Sequence, residues 1–456
     1  MFCESFYQIS AEKSLPLYLI SQTEWLEKQE AWPQIEKNYF LNIKFQAKVG
    51  ECCLITDAEG KLIKAYLGSG QGNEALALAH AATRLPTGIY HLQQPVSDTA
   101  KLMWSLAQYR YSAYKKNIAE PKILVIEQDK IEKILAEARA IFLVRDLINS
   151  PTNDLKPEQL SQITRKLGED FGAQFEEYVG EELLKSNYPA VHAVGRASIA
   201  APRLLSLKWG KEEHPLISII GKGVCFDSGG LDIKPAPAMR YMKKDMGGAA
   251  TALGLAQLIM SFNLPIRIHL LIPAVENSIG PDSFRPGDIL TMRNGLTVEI
   301  DNTDAEGRLI LADALVKASE EKPELIIDFA TLTGAARTAV GAEIAAMFTN
   351  DDAIAEKLSQ SSAVVNDPIW RLPLFSGYES MFDSSIADMA NSSASPYAGA
   401  ITAALFLQRF VDKDIPWVHF DLMAWNLSSK AGKPEGGEAM AMRAVIDYLL
   451  KTYMSS

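Results

Sequence analysis

Short apolar runs alternate with amphipathic stretches over the first 130 residues. Apolar runs bounded by turn residues predict strands, and apolar residues recurring every three or four positions predict helices. The predicted elements of this region are strands at 51–57, 64–68, 88–92 and 122–128 and helices at 73–85 and 99–117. This alternation predicts a small N-terminal α/β domain over residues 1–130.

A longer amphipathic stretch, residues 131–150, follows this region. Its apolar side chains fall along one stripe of the helix that their spacing predicts. We expect the helix to end at Ser150, because the residue before a proline, here Pro151, avoids helical backbone. The pattern therefore predicts a connecting helix at 131–150 and a second domain over 151–456.

Near-continuous apolar strands alternate with helices in the second domain. The predicted elements are strands at 215–224, 266–275, 296–301, 324–330 and 417–423 and helices at 247–262, 308–321 and 399–411. Asn294 and Gly295, which separate two apolar runs, predict a β-hairpin. Strands without polar alternation are typical of parallel sheets covered on both faces. The expected fold class is α/β, with a small N-terminal α/β domain, a connecting helix and a larger C-terminal α/β domain whose sheet is mixed and largely parallel.

Charge narrows the range of partners. The 456 residues include 45 Lys and Arg against 56 Asp and Glu, a net charge of −11. This balance opposes a nucleic-acid or anionic-membrane surface, and residues 1–120 contain no concentrated basic run. No apolar run reaches the roughly 20 residues of a membrane span, and charges interrupt the N-terminus where a signal peptide needs apolar residues. We expect a cytoplasmic protein with neither membrane nor nucleic-acid partners.

Histidine and cysteine are scarce in the chain. Only six His and four Cys are present, and none of them has the spacing of a metal-binding motif. The adjacent Cys52 and Cys53 indicate buried thiols in a reducing compartment rather than a disulfide framework. Any metal site would therefore depend on carboxylates.

Polar and charged residues cluster directly after predicted strands, where open α/β sheets place their ligand sites. They follow the strands at 215–224 and 296–301, and Thr331 and Gly334 follow the strand at 324–330. The charged members are Lys222, Asp227, Lys234, Asp245, Asp304, Glu306 and Arg308. Because parallel strands end at a common edge of the sheet, we expect these side chains to converge.

Four converging carboxylates would be costly unless cations neutralised them. Two divalent ions would do so, and carboxylate clusters are typical of two-metal hydrolytic sites. Oxygen ligands suit Mg, Mn or a flexible Zn site better than a structural Zn site. For Asp304 and Glu306 taken alone, a solvated acidic loop remains the alternative.

Two interpretations of Lys222 and Lys234 stay open. Either lysine could simply pair with a carboxylate. Beside divalent cations, however, the pKa of a lysine falls, and a neutral lysine can then serve as a nitrogen ligand. A second, charged lysine could stabilise a developing oxyanion, and Arg308 suits the binding of a small anion.

The octapeptide at 302–309, Asn-Thr-Asp-Ala-Glu-Gly-Arg-Leu, is identical to the signature of the leucyl (cytosol) aminopeptidases, the M17 metallopeptidases. A second block, from Gly221 to Lys234 and on to residues 242–250, resembles the other signature of that family at its usual spacing. The resemblance covers roughly residues 140–425. It implies a two-metal aminopeptidase that releases N-terminal amino acids, with a leucine-like preference, from peptides.

The resemblance also implies a role for each clustered residue. The ligands that it implies for two divalent ions, Mn or Zn, are Lys222, Asp227, Asp245 and Glu306 for one ion and Asp227, Asp304 and Glu306 for the other. Lys234 would stabilise the tetrahedral oxyanion, and Arg308 would hold a bicarbonate ion that acts as general base. The residues implied to line the pocket for the first substrate side chain are Met242, Thr331 and Gly334.

The family fold has a small N-terminal α/β domain, a connecting helix and a larger catalytic α/β domain. Residues 151–456 are accordingly expected to form the metallopeptidase domain. Members usually assemble as hexamers whose active sites face an inner cavity, so the resemblance implies a homohexamer.

The chain departs from the family pattern at a few positions. Cys225 stands where the family usually has Thr, and Asp232 stands where Ser is usual. The segment 422–425, Leu-Met-Ala-Trp, is shorter and bulkier than the usual Ile-Ala-Gly-Thr-Ala-Trp. Because that part of the family often contributes to the side-chain pocket, we expect Met423 to narrow or reshape it.

Two other functions fit parts of the pattern. Some members of the family also bind DNA as regulators through the N-terminal domain, but the acidic balance opposes an additional DNA-binding role here. A two-metal phosphohydrolase would share the carboxylate chemistry without accounting for the octapeptide. A metal-dependent aminopeptidase is the function that we expect.

Overall fold

The computed structural model describes residues 3–28, 30–115 and 119–454. Contacts within the chain divide it into two compact units, the first comprising Met1–Phe142 with Ser428–Glu435 and the second comprising Leu143–Leu427 with Gly436–Ser456. The division falls inside the predicted connecting helix, and it assigns a short C-terminal segment to the first unit. The domain bounds 1–130, 131–150 and 151–456 stay a prediction.

The first unit contains a six-stranded sheet. Its elements are a 3₁₀ helix at Cys3–Phe6, strands β1 (Tyr7–Gln8), β2 (Leu15–Ser21), β3 (Cys52–Thr56), β4 (Leu62–Gly70), β5 (Ile89–Leu92) and β6 (Ile123–Val125), and helices α1 (Gln22–Lys28), α2 (Gln34–Asn42), α3 (Glu74–Arg84) and α4 (Asp98–Leu106). The strand order is β1-β6-β5-β2-β4-β3, and only β3 and β4 pair antiparallel. The four predicted strands of this region are present.

The helix predicted at 99–117 is shorter in the structure and ends at Leu106. Gln108 explains the early end, because its side-chain amide pairs with the backbone of Lys122 (Nε2 to O, 3.0 Å; N to Oε1, 2.8 Å). This pairing holds the chain that follows the helix against the segment that leads into β6. Positions 116 and 117 of the predicted helix lie outside the described residues.

Helix α5 (Ile131–Asn149) follows, close to the predicted bounds. The strands of the second unit are β7 (Gln174–Val179), β8 (Arg203–Trp209), β9 (Leu216–Gly221), β10 (Gly223–Asp227), β11 (Arg267–Asn277), β12 (Ile289–Thr291), β13 (Thr297–Glu299), β14 (Leu325–Ala330), β15 (Ala345–Thr349), β16 (Ile369–Arg371), β17 (Met389–Ala390), β18 (Trp417–Asp421), β19 (Trp425–Asn426) and β20 (Gly436–Gly437). Its helices are α6 (Pro157–Phe171), α7 (Glu182–Lys185), α8 (Pro189–Gly195), α9 (Ala236–Met239), α10 (Gly247–Ser261), α11 (Glu306–Glu320), α12 (Gly334–Val340), α13 (Asp352–Val365), α14 (Gly399–Gln408) and α15 (Met442–Tyr453), with 3₁₀ helices at Met242–Met246 and Ser376–Phe382.

A nine-stranded mixed sheet forms the centre of the second unit. Its order is β16-β15-β18-β14-β9-β11-β8-β7, with β10 paired to β11. The strands from β18 to β11 run parallel, and antiparallel pairs appear toward both edges. The predicted fold class, two α/β units with a mixed and largely parallel sheet in the larger one, is confirmed.

The prediction of a single strand at 215–224 is wrong in one respect. The segment forms two strands, β9 and β10, which are separated by a break at Lys222. At the break, the N of Lys222 makes the last hydrogen bond between β9 and β14, to the oxygen of Phe329 (2.9 Å), and its own oxygen accepts from the N of Ala249 in α10 (2.9 Å). Gly221 allows the strand to lie this close to the start of α10, since a Cβ at residue 221 would lie 2.5 Å from the Cα of Ala249. The break directs the Lys222 side chain toward the end of the sheet.

Two further predicted elements bear on the site. The hairpin at Asn294 and Gly295 is confirmed, because β12 and β13 pair antiparallel on either side of it and Gly295 has φ +88°. The helix predicted at 308–321 begins earlier, at Glu306, so this residue stands in the first turn of α11. None of the helices in the described ranges combines the length and the hydropathy that crossing a membrane requires.

Candidate metal centre

The carboxyl ends of the central strands bring four charged residues together. Lys222 lies between β9 and β10, Asp227 ends β10, Asp245 belongs to the 3₁₀ helix Met242–Met246, and Glu306 begins α11. All four side chains are buried. The sequence pattern predicted this convergence, and the topology of the parallel sheet produces it.

Three carboxylates form the core of the cluster. Asp227, Asp245 and Glu306 each offer one oxygen, and these oxygens all lie within 4.8 Å of one another. Oxygen ligands bind divalent cations at about 2.0–2.6 Å, so two ligands of one ion stand at most about 5 Å apart. The three carboxylates are therefore spaced to share a cation.

Lys222 reaches into this cluster. Its Nζ lies 2.7 Å from Oδ2 of Asp245 and 2.9 Å from Oε1 of Glu306. Burial lowers the pKa of Lys222, but the two carboxylates outweigh burial and hold that pKa above its ordinary value. Pairing with carboxylates accounts for these contacts, and a role as neutral ligand stays a proposal.

Lys234 and Asp304 complete the acidic face of the site. Nζ of Lys234 lies 2.8 Å from Oδ2 of Asp227 and also contacts Oδ1 of Asp304. Burial, followed by the charge of Asp227, raises the pKa of Asp304 and of Glu306 above their ordinary values. The lysines leave part of the acidic charge uncompensated, as a site for divalent cations requires.

Sequence reasoning missed Asn277 at the end of β11. Its Nδ2 donates to Oδ1 of Asp227 (2.9 Å) and to the backbone oxygen of Thr303 (3.0 Å). These two bonds connect one carboxylate to the loop that carries Asp304. The sequence feature that could have revealed Asn277 is its position at the end of a predicted strand, where the other site residues also lie.

Asp232, the departure from the usual Ser, also connects two parts of the site. Its Oδ2 accepts from the N of Thr303 (2.8 Å), and Oγ of Thr303 donates to the backbone oxygen of Gly229 (2.7 Å). The loop after β10 and the octapeptide are thereby hydrogen-bonded to each other.

The residues expected to line the pocket for the first substrate side chain lie at one cleft of about 400 Å³. Met242, Thr331 and Gly334 all border it. Thr331 has a further contact, since its Oγ donates to Oδ1 of Asp245 (2.8 Å) and orients that carboxylate. Met423 is buried and lies outside the described lining of the cleft, so its expected effect on the pocket stays a prediction.

Cationic side chains line the same cleft. Arg308 is 8% exposed, and burial lowers its pKa to about 10, so it remains charged at neutral pH. Lys244 and Arg337 also border the cleft, and sequence reasoning missed both. Burial lowers the pKa of Lys244 to about 8. The available signal for Lys244 was its place beside Asp245 in the second signature block.

Family models match most of the chain. Residues 142–446 match the cytosol aminopeptidase family, catalytic domain, and residues 15–126 match the M17 aminopeptidase N-terminal domain. The chain belongs to the M17 cytosol aminopeptidase family. This membership confirms the expected enzyme class, a metal-dependent exopeptidase.

Relatives of this M17 family member are similar to it over most of their length, and two solved structures share its fold. A probable cytosol aminopeptidase of Syntrophotalea carbinolica is 39% identical over 82% of this chain and 78% of its own. The crystal structure of the cytosol aminopeptidase from Coxiella burnetii is 42% identical, with a TM-score of 0.94 over 98% of this chain and 99% of that one. The bottromycin maturation enzyme BotP in complex with Mn is 31% identical, with a TM-score of 0.88 over 96% of this chain and 99% of that one.

Proposed function

We propose that this aminopeptidase works with two divalent metal ions, Mn or Zn, at the cluster around Glu306. Lys222, Asp227, Asp245 and Glu306 would hold one ion, and Asp227, Asp304 and Glu306 would hold the other. The observation that carries this proposal is the approach of the Asp227, Asp245 and Glu306 oxygens to within 4.8 Å of one another. The Mn in the BotP structure is the further support for manganese.

The donor set fits divalent cations. In the described part of the chain, Oδ2 of Asp245, Oδ1 of Asp304 and Oε1 of Glu306 are buried and accept no hydrogen bond of normal geometry, although lysines lie close to them. Each of these oxygens faces a lysine ammonium and no other donor, so a bound cation would take the place of that contact. Hard carboxylate oxygens with one lysine nitrogen suit Mn, and they also suit a Zn site of catalytic type.

Each ion would supply Lewis-acid chemistry, activating water and polarising the scissile carbonyl. Lys234 stands next to Asp227 and Asp304, its side chain is 14% exposed and it borders the cleft, so it can reach a substrate there. There it would stabilise the negative oxygen of the tetrahedral intermediate. Arg308 would bind a bicarbonate ion as general base, because its buried guanidinium borders the same cleft.

The substrates that we propose are peptides with a free N-terminus and a leucine-like first residue. Met242, Leu332 and Ala335 present apolar surface to the cleft, as such a side chain requires. Among the described residues, no observation favours the additional DNA-binding role. The proposed assembly is a homohexamer and the proposed location is the cytoplasm, both supported by family membership and not by a residue contact.

Metal stoichiometry and activity test this proposal together. The full chain, stripped with a chelator and reloaded with Mn or Zn, should bind two ions and hydrolyse leucine amide, with no turnover before reloading. Glu306→Gln should lose at least one ion and most of the activity. Asp282→Asn, at a side chain that is 71% exposed, is the matched control and should retain both. Turnover without metal, or two bound ions and full activity in Glu306→Gln, would contradict the proposal.

A further inference from the structure

The octapeptide begins on a loop whose backbone is held at two sets of positions. Asp232 and Asn277, described above, bind the loop at Thr303. Asn391, which directly follows strand β17 and is fully buried, binds the same loop at other residues. Neither the sequence pattern nor the proposed chemistry gives Asn391 a part in the site.

The side-chain amide of Asn391 spans the loop. Its Oδ1 accepts from the N of Asp301 (2.8 Å) and from the N of Asn302 (3.1 Å). Its Nδ2 donates to the backbone oxygen of Asn302 (2.7 Å) and, over a longer 3.4 Å, to that of Ala305. One side chain thus pairs with four backbone groups of the loop, and an acceptor beside two donors is particular to amide side chains.

Asn391 is itself fixed by the strand that precedes it. Its N donates to the oxygen of Glu299 (2.9 Å), which continues the pairing of β17 with β13 by one residue. At the other end of this pair, Oδ2 of Asp388 accepts from the N of Thr297 (2.8 Å), and the N of Asp388 donates to Oγ of Thr297 (2.9 Å). The amide therefore holds the loop from a rigid base, as precise sites require.

Asp304 is the member of the acidic cluster that depends on this loop. Its side chain is 31% exposed, whereas those of Asp227 and Glu306 are 3% and 1% exposed. Strand β10 carries Asp227 and helix α11 carries Glu306, so regular structure holds both. Asp304 lies on the loop before α11, and its N donates to Oδ1 of Asn302 (2.8 Å). The backbone at Asn302, which Asn391 holds, therefore sets the position of the Asp304 carboxylate.

We propose that Asn391 is a positioning residue, which keeps Asp304 in place as a ligand of one of the two metal ions. The inference rests on the proposed function, in which Asp227, Asp304 and Glu306 hold that ion. Two of these ligands stand on regular structure and cannot follow a displaced third, so the ion loses affinity when the loop moves. Hydrogen bonds that orient a ligand contribute about 10–100-fold to metal affinity.

Calorimetric titration of the stripped full chain with Mn tests the inference. Wild type should show two binding steps, and Asp304→Asn should weaken only one of them, which identifies the step that needs Asp304. Asn391→Leu roughly keeps the size of the side chain and removes its hydrogen bonds. It should weaken that same step about 10–100-fold and change the other step little.

A double variant shows whether Asn391 acts through Asp304. Because the effect of Asn391 requires the Asp304 carboxylate, adding Asn391→Leu to Asp304→Asn should weaken Mn binding no further. The loss is one of affinity, so kcat of Asn391→Leu on leucine amide should recover toward the wild-type value as the Mn concentration is raised. Additive losses in the double variant would overturn the inference.

Asn350 offers a matched control outside the described lining of the cleft. Its Nδ2 donates to the backbone oxygen of Ile415 (2.9 Å), and its Oδ1 accepts from the N of Trp417 (2.8 Å), so it also joins two segments through their backbone. Asn350→Leu should lower the unfolding temperature and leave both Mn steps unchanged. If Asn391→Leu does only the same, or if neither it nor Asn391→Ala folds, Asn391 is a structural residue and the inference is overturned.

The remaining outcomes distinguish this inference from the function on which it rests. Two Mn steps in wild type that Asn391→Leu weakens equally would overturn the inference and leave the proposed function standing. A single Mn step in wild type, or an Asp304→Asn variant that binds both ions as wild type does, would overturn the proposed assignment of the two ions and the inference with it.

Discussion

The side chain of Lys222 lies directly against the backbone of Gly307. A Cβ on Gly307 would stand 2.5 Å from Cε and 2.8 Å from Nζ of Lys222. The glycine of the octapeptide therefore provides the space through which Lys222 reaches Asp245 and Glu306. Any larger residue at 307 would push the lysine away from the cluster.

Gly307→Ala should accordingly lower kcat/KM at least about tenfold and reduce metal binding. Thermal stability should change little, because the higher helix propensity of Ala in α11, up to about 1 kcal/mol, offsets part of the steric cost. Metal content and kcat/KM after reconstitution measure the effect. Gly88→Ala, where a Cβ would make an ordinary 3.5 Å contact with Tyr90, is the control, and an equal loss in both variants would refute the role of Gly307.

Thr331→Val should weaken metal binding without unfolding the protein. The substitution removes the hydroxyl that donates to Oδ1 of Asp245 and keeps the volume of the side chain. Loss of a hydrogen bond that orients a ligand costs about 10–100-fold in metal affinity or activity. Titration of the stripped chain with Mn measures the change. Thr338→Val, at an exposed threonine of α12, should bind Mn as wild type does.

Arg145→Met should destabilise the second unit by about 3–5 kcal/mol, because it leaves the Glu438 carboxylate buried without its cation. Nη2 of Arg145 lies 3.1 Å from Oε2 of Glu438, and the two side chains are 1% and 7% exposed. Denaturant unfolding gives the change in free energy. The double variant Arg145→Met with Glu438→Gln should recover much of the loss, and no recovery would show that the pairing is not the cause.

The pair of His419 and Asp328 should make stability depend on pH. Burial lowers the pKa of His419, but Asp328, with Oδ1 2.6 Å from Nδ1, outweighs burial and raises that pKa above its ordinary value. A raised histidine pKa stabilises the fold fully below the unfolded pKa of about 6.5, and this stabilisation is lost as the pH rises through the folded pKa. The stability difference between wild type and His419→Gln should therefore shrink as the pH rises above about 6.5.

Urea unfolding of both proteins between pH 6 and pH 9 measures that difference. Asp328→Asn removes the carboxylate that raises the pKa, so this variant should show a flatter pH dependence than wild type. A stability difference that is constant across the range would contradict the role of the buried pair.

Local sequence patterns predicted many of the helices, strands and turns, because these elements depend mainly on residues that are close together in the chain. The hairpin at Gly295 and the strand at Leu325–Ala330 follow from turn chemistry and apolar runs. Helix α6 also had local signals, Pro157 in its first turn and Gly172 beyond its end at φ +66°, which sequence reasoning did not use. Sequence reasoning missed β8 although it contains a short apolar run, and antiparallel pairing with the distant β11 places it in the sheet.

The sequence by itself determined the family, the α/β architecture and the identity of the charged residues, because the octapeptide and the strand-end positions are local patterns. Only the tertiary structure decided how those residues meet. The break at Lys222 and the contact of Asn277 with Asp227 arise between segments far apart in the chain. Their physical cause is close backbone packing at the end of the parallel sheet, and a list of residues does not contain it.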